Sequence, residues 1–206
     1  VKAKKNITLK DNFREKIVDL PDTGWTIFRP GNGIELIFKC GEPCPKHLPG
    51  HVHSDQLTFD LYYKGKQIIV ESGTSIYGVN SIRDYERSSK AHNIFQLGLP
   101  IFRNESSSIK WIDSVQCWHG FRAARKCKPI HRSCGEESDN TLWVKGSHDA
   151  SLFTNSEHIR EVRLKVESNT YTVLKIIDIV KNNKNMNWRS FLHLGETESK
   201  YLFEEM

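Results

Sequence analysis

The 206-residue sequence has no run of about 20 apolar residues, the length that a bilayer-spanning helix requires. Its most apolar stretch, Tyr171 to Val180, is interrupted by Lys175 and Asp178, so no membrane span is expected. Lys2, Lys4 and Lys5 are not followed by the apolar h-region of a secretory signal. Charge of one sign is lacking too. Thirty Lys plus Arg against 25 Asp plus Glu leave a net +5, with acidic residues interleaved almost everywhere. That distribution argues against nucleic acid as a partner and leaves an anionic substrate open. Cysteine is scarce and odd in number, five residues at positions 40, 44, 117, 127 and 134, too few for a disulfide framework. Cys40-Gly41-Glu42-Pro43-Cys44 is a C-x3-C without a second pair, a pattern that fits ordinary buried thiols better than structural zinc.

Long helical periodicity is nearly absent as well, and short apolar or alternating runs bounded by turn residues take its place. Strands are expected at Gly24 to Arg29, Ile34 to Lys39, Thr58 to Tyr63 and Gln67 to Glu71, with Lys64-Gly65 turning a hairpin between the last two. Later candidates are Asn93 to Leu97, Ile109 to Asp113, Trp118 to Lys126, Thr141 to Lys145, Glu161 to Val166, Tyr171 to Val180 and Trp188 to Leu194. In Glu161 to Glu167, Val162, Leu164 and Val166 alternate with Arg163 and Lys165, as in a half-buried antiparallel strand. The expected fold class is all-β, an antiparallel two-sheet β-sandwich with little helix. Residues 1–20 are polar, lysine-rich and without alternation; they read as a frayed terminus or as a linker from an upstream domain, with the sandwich over 21–206.

The densest chemical signal is Gly50-His51-Val52-His53-Ser54-Asp55. On an extended segment residues two apart face the same way, so His51 and His53 are expected on one side, two imidazoles available to a metal or a proton. Glu71 ends the apolar run Ile68-Ile69-Val70, and a carboxylate ending a buried strand needs a partner. Arg83-Asp84-Tyr85-Glu86-Arg87 then brings a tyrosine between two arginines shortly before His92. The other histidines read as surface, edge or turn residues: His47 and His131 beside prolines, His119, His158 before a strand, His193, and His148-Asp149 as a turn.

The order Gly50-His-x-His-x-Asp-x-Leu-Thr-Phe-Asp-Leu-Tyr-Tyr-Lys-Gly65, then Ile68-Ile-Val-Glu-Ser-Gly-Thr74, then Arg83-Asp-Tyr-Glu-Arg-Ser-x-x-Ala-His-Asn93 resembles the heparinase II/III-like polysaccharide lyases. Weaker echoes extend the resemblance over roughly residues 20–195, among them Pro21-Asp-Thr-Gly-Trp25 and Arg160-Glu-Val-Arg163. It implies the β-sandwich half of a two-part protein of supersandwich type, preceded by an α/α toroid that supplies an essential tyrosine and much of the sugar-binding groove. The implied reaction is β-elimination on a uronic-acid-containing acidic polysaccharide. His51 matches the family's cleft histidine and Tyr85 its second cleft tyrosine, both as catalytic candidates, with Arg83 and Arg87 as substrate-binding candidates. His53, Glu71 and His92 match the metal triad, most often zinc, although the family's carboxylate is usually aspartate. In that reading the chain is inactive or nearly so without the toroid. Two other readings stay open: a non-catalytic carbohydrate-binding module, and a metal-stabilised structural domain of a glycan-processing protein.

Overall fold

A computed structural model describes residues 15–103, 106–118, 122–149, 156–168, 171–181 and 185–196. The first five strands, β1 (Ile17–Leu20), β2 (Trp25–Gly31), β3 (Ile34–Lys39), β4 (Phe59–Tyr63) and β5 (Lys66–Ile69), form an antiparallel sheet in chain order. After helix α1 (Ser81–Arg87) and a 3-10 turn at Ser89–Ala91 come β6 (Phe95–Arg103), β7 (Ser106–Trp111), β8 (Val115–Trp118) and β9 (Arg122–Lys126). β10 (Pro129–Glu136), β11 (Leu142–His148), β12 (Glu157–Ser168) and β13 (Tyr171–Lys181) make a four-stranded meander. The last strand, β14 (Asn187–Ser190), returns to pair with β6.

The first sheet and the β10–β13 sheet pack face to face. Phe28, Leu36, Phe38, Phe59 and Leu61 from one meet Leu142, Val144, Val162 and Leu164 from the other in a single buried cluster. The period-2 pattern decides this: Val162 and Leu164 are fully buried while Arg163 forms ion pairs with Glu137 and Glu161 outside. The fold is therefore the all-β sandwich expected, and its boundaries differ from the sequence reading for local reasons. β1 lies inside residues 1–20 because Ile17 and Val18 pair with Phe28 and Ile27. β10 carries no apolar alternation, being an edge strand with several exposed residues, and it places His131 on a strand rather than a loop. The run Trp118 to Lys126 is two paired strands, β8 and β9. β6 runs on through Pro100, which is tolerated because β14 covers only Phe95 to Gly98, leaving the β14-facing edge without a ladder bond to lose.

Two backbone approaches seat the loop from Gly41 to Thr58. Gly24 has φ +76°, and a Cβ there would lie 2.2 Å from Gly41 Cα, so β2 and the end of β3 meet backbone to backbone. Gly146 on β11 faces Leu57 and Cys40 at distances that a side chain would close. Arg160 on β12 is 1% exposed; its Nη1 donates to Leu57 O at 3.1 Å and Asn93 O at 2.5 Å, while Asp178 of β13 takes its Nε and Nη2 at 2.8 and 2.9 Å. Cys40, Cys44, Cys127 and Cys134 are free thiols, the first three buried, so the C-x3-C is not a disulfide.

Candidate functional site

Three segments converge at one end of the first sheet: residues 50–58 before β4, residues 70–77 after β5, and α1 with the turn that follows it. Asn93 joins them. Its Nδ2 lies 3.1 Å from Phe59 O, 2.8 Å from Val70 O and 2.9 Å from Glu71 Oε1, and its Oδ1 accepts from His193 N at 2.7 Å. Its backbone N–H reaches Glu71 Oε1 at 2.8 Å, and the Thr58 hydroxyl donates to the same oxygen.

Glu71 thus has the partners that its position demands, and its other oxygen bonds His92 Nδ1. The rings of His53 and His92 lie 5.3 Å apart, bringing the three residues of the expected triad into one neighbourhood. His53 Nε2 is 3.1 Å from Arg83 Nη1 and 3.2 Å from Thr74 Oγ1. A guanidinium only donates, so this nitrogen accepts and the ring is neutral. Burial, reinforced by His92 and Arg83 and opposed by Asp55, pushes His53 down to about 4. His92 Nε2 is a buried imidazole nitrogen without a hydrogen-bond partner in the protein. Asp60, unremarked in the sequence, borders the cluster: burial and the adjacent Glu71 push its carboxyl up to about 6, and its Oδ1 is buried without a partner.

His51 does not share a side with His53. It has φ +54°, a left-handed conformation that breaks the extended geometry on which that expectation rested. His51 is exposed and meets Tyr77 edge-on at 5.7 Å, and the Arg83 guanidinium lies 5.5 Å from the same tyrosine ring. Arg83 therefore links the triad to the exposed histidine. Tyr77 was missed because nothing in Ser75-Ile-Tyr-Gly-Val79 marks a strand or helix.

Helix α1 is inverted relative to an ordinary surface helix. Asn80 caps it, its Oδ1 accepting from Ile82 N at 2.7 Å, and the i, i+3, i+4 face Arg83, Glu86, Arg87 is buried while Ile82 and Tyr85 are exposed. Arg83 and Arg87, the expected substrate-binding candidates, both lie on this inward face. Both are buried, at 2% and 4% exposure, and Arg87 Nε donates to Val52 O at 3.0 Å, fixing the loop behind His51. Tyr85 is 48% exposed on the outer face, its hydroxyl 3.5 Å from Lys90 O.

A second cluster, tied to the first through Arg160 and Asn93, involves residues expected at the surface or in a turn. His148 is the last residue of β11 and is buried, and His158 on β12 is 1% exposed, not an edge residue. Among the described residues, ligand atoms of Cys127, His148 and Asp149 all lie within 4.8 Å of one another.

Residues 14–201 match the family model described as heparinase II/III-like, C-terminal. The chain belongs to this family. Among solved structures it is similar to the heparinase III BT4657 gene product, with TM-score 0.56, 19% identity and 85% of this chain covered. The methylated-lysine form of that protein gives TM-score 0.55 at 20% identity. The chain spans 23% of the length of each of these structures. No curated protein matches it.

Proposed function

We propose that this chain is the sandwich part of a polysaccharide lyase that cleaves uronic-acid-containing glycans by β-elimination, completed by a helical domain on the His51 face. The observation that carries this reading is the apolar rim on the segments flanking His51. Leu48, Tyr77, Val79, Ile82 and Tyr85 are 57, 64, 89, 54 and 48% exposed, while Arg83, Glu86 and Arg87 of α1 are buried. A surface that hides arginines and shows tyrosine, valine and isoleucine is built to be covered. Membership of the family and the short span relative to the heparinase III structures support the same reading.

In the proposed reaction a base removes the C5 proton beside the uronate carboxylate and an acid protonates the departing O4. The carbon acid is weak while its carboxylate is charged, so donors aimed at that group lower the barrier most. His51, exposed and held by Tyr77, is assigned to the substrate carboxylate or to proton transfer. Tyr85 is the second candidate for proton transfer from this chain. His53, Glu71 and His92 supply two imidazoles and a carboxylate, the donor types that hold a divalent cation such as zinc, and the protein leaves His92 Nε2 unpaired; Glu71 here bonds His92 Nδ1, so the three donors would have to rearrange to close on one ion. His53, Glu71 and His92 would hold it, and it would supply a fixed positive charge stiffening the wall that carries His51. Arg83 and Thr74 orient His53 from the opposite side.

The test is a protein extended upstream to include the helical domain, mixed with heparin-like, alginate-like and hyaluronan-like polymers while the absorbance of unsaturated uronate is followed. Activity is expected in the extended protein, near absence in the isolated chain, and sharp loss in His51→Ala. An extended protein that binds one of these glycans and cleaves none replaces the lyase reading with the carbohydrate-binding one.

A further inference from the structure

We infer that Cys127, His148 and Asp149 form a second transition-metal site, separate from the His53, Glu71 and His92 cluster and selective for a thiophilic divalent cation of the zinc class. The three donors come from chain segments pinned together by backbone bonds. Cys127 N–H donates to Ser114 O at 2.8 Å, Asp149 N–H donates to Lys128 O at 3.0 Å, and Lys128 N–H returns to Asp149 Oδ1 at 2.9 Å. The ligand atoms lie within 4.8 Å of one another, about 1 Å wider than the roughly 3.4–3.8 Å set by tetrahedral geometry at zinc bond lengths. A change of side-chain torsions would have to close that gap.

The surroundings of His148 are those of a ligand. Its Nε2 is 3.2 Å from His158 Nδ1, and His158 Nε2 is 2.7 Å from Asp178 Oδ1. Arg160 grips both oxygens of Asp178, which keeps that carboxylate ionised. Proton accounting follows from the charged end: Asp178 accepts from His158 Nε2–H, His158 Nδ1 then accepts, and His148 Nε2–H donates to it. The chain fixes His148 as the neutral tautomer with Nδ1 deprotonated, the form that a cation takes, by the carboxylate-to-histidine support that metal ligands commonly have.

A cavity of about 20 Å³ opens between Ser114, His148 and His158, enough for about one water. Gln56, 1% exposed, lines it with both amide atoms unpaired in the protein, and Ser114 Oγ is buried and unpaired beside it. A water in this space, which His148 lines but Cys127 and Asp149 do not, would satisfy these groups beside the His148–His158 pair. Donor chemistry sets the selectivity, since one thiolate, one imidazole and one carboxylate favour zinc over magnesium or calcium.

The test is to produce the protein in cobalt-supplemented medium and record its near-ultraviolet and visible spectrum. The expected result is a thiolate-to-cobalt charge-transfer band that disappears in Cys127→Ser, persists in a Cys40→Ser/Cys44→Ser variant and persists in His53→Ala. The last variant separates this site from the other one, which contains no sulfur and cannot give the band. His158→Gln should lower cobalt affinity about 10–100-fold. X-ray absorption on the zinc form of the unmutated protein should show a sulfur neighbour near 2.3 Å. Absence of sulfur from the metal shell of the unmutated protein overturns the proposal, as does a band that survives Cys127→Ser.

Discussion

Arg160 on β12 donates to the carbonyl oxygen of Asn93 at 2.5 Å, so a residue of the far sheet fixes the segment that carries His92. Its guanidinium also reaches Leu57 O, at the end of the loop that carries His51 and His53. The site's geometry is therefore anchored in the β10–β13 sheet, although its expected ligands lie in or beside the first.

Asp178 is the counter-charge that makes this anchor tolerable in the interior. Burial alone would raise its pKa, but Arg160 and the bonds from His158 and Arg160 hold it well below the usual carboxylate range. Asp178→Asn leaves a buried guanidinium uncompensated and should cost about 3–5 kcal/mol in urea unfolding. Because the folded pKa is depressed, the unfolded chain binds the extra proton first, and this stability is present above pH about 4 and lost on acidification below it. The variant should show a shallower acid limb than the parent between pH 5 and 3.

Asn93→Ala removes the hub of the site. It strips Glu71 Oε1, Val70 O and Phe59 O of a shared donor and His193 N of its acceptor. A loss of about 2–4 kcal/mol is expected from groups left buried without partners. If the proposed triad holds zinc, zinc content measured in a Cys127→Ser background should fall together with the thermal midpoint; unchanged content there would detach Asn93 from the triad.

Gly146→Val tests whether the loop before β4 is seated on β11. A Cβ at this position would lie 2.8 Å from Leu57 Cδ2 and 2.9 Å from Cys40 Sγ. Overpacking of about 1–3 kcal/mol is expected, read as a lower denaturant midpoint at constant slope.

In the extended protein His51→Ala should lower kcat by about 10²–10⁴, the span of a lost general acid–base group. Tyr77 meets His51 through its ring, so Tyr77→Phe should stay near the parent while Tyr77→Ala loses activity. Equal loss in both variants would assign a role to the phenol hydroxyl instead.

Alternation carried the fold reading where one face of a strand is buried, as in β3 and β12, and failed where no residue is fully buried, as in β10. The grouping of His53, Glu71 and His92 came from the family resemblance, and the fold brings His53 near His92 and Glu71 onto His92. Two things were not legible. A left-handed residue at His51 turned a same-side pair into two different faces, and the inward arginines of α1 reversed the usual assignment of charge to surface. The Cys127, His148 and Asp149 cluster forms where the pairing of β10 with β11 sets Pro129 opposite His148, and no local spacing announces it.

Most strands here pair with the next one along the chain, but β14 does not: Asn187 lies opposite Gly98, and the segment after it bonds Val70, Ile68 and Asn93. Closing that long loop is entropically the slowest pairing available to the chain. The floor under His92 and Glu71 is therefore completed late, after both facing sheets can already have formed. During synthesis from the N-terminus, a ribosome-bound chain that has not yet released its residues near 195 carries every expected ligand of the triad without the strap that holds Asn93 against them.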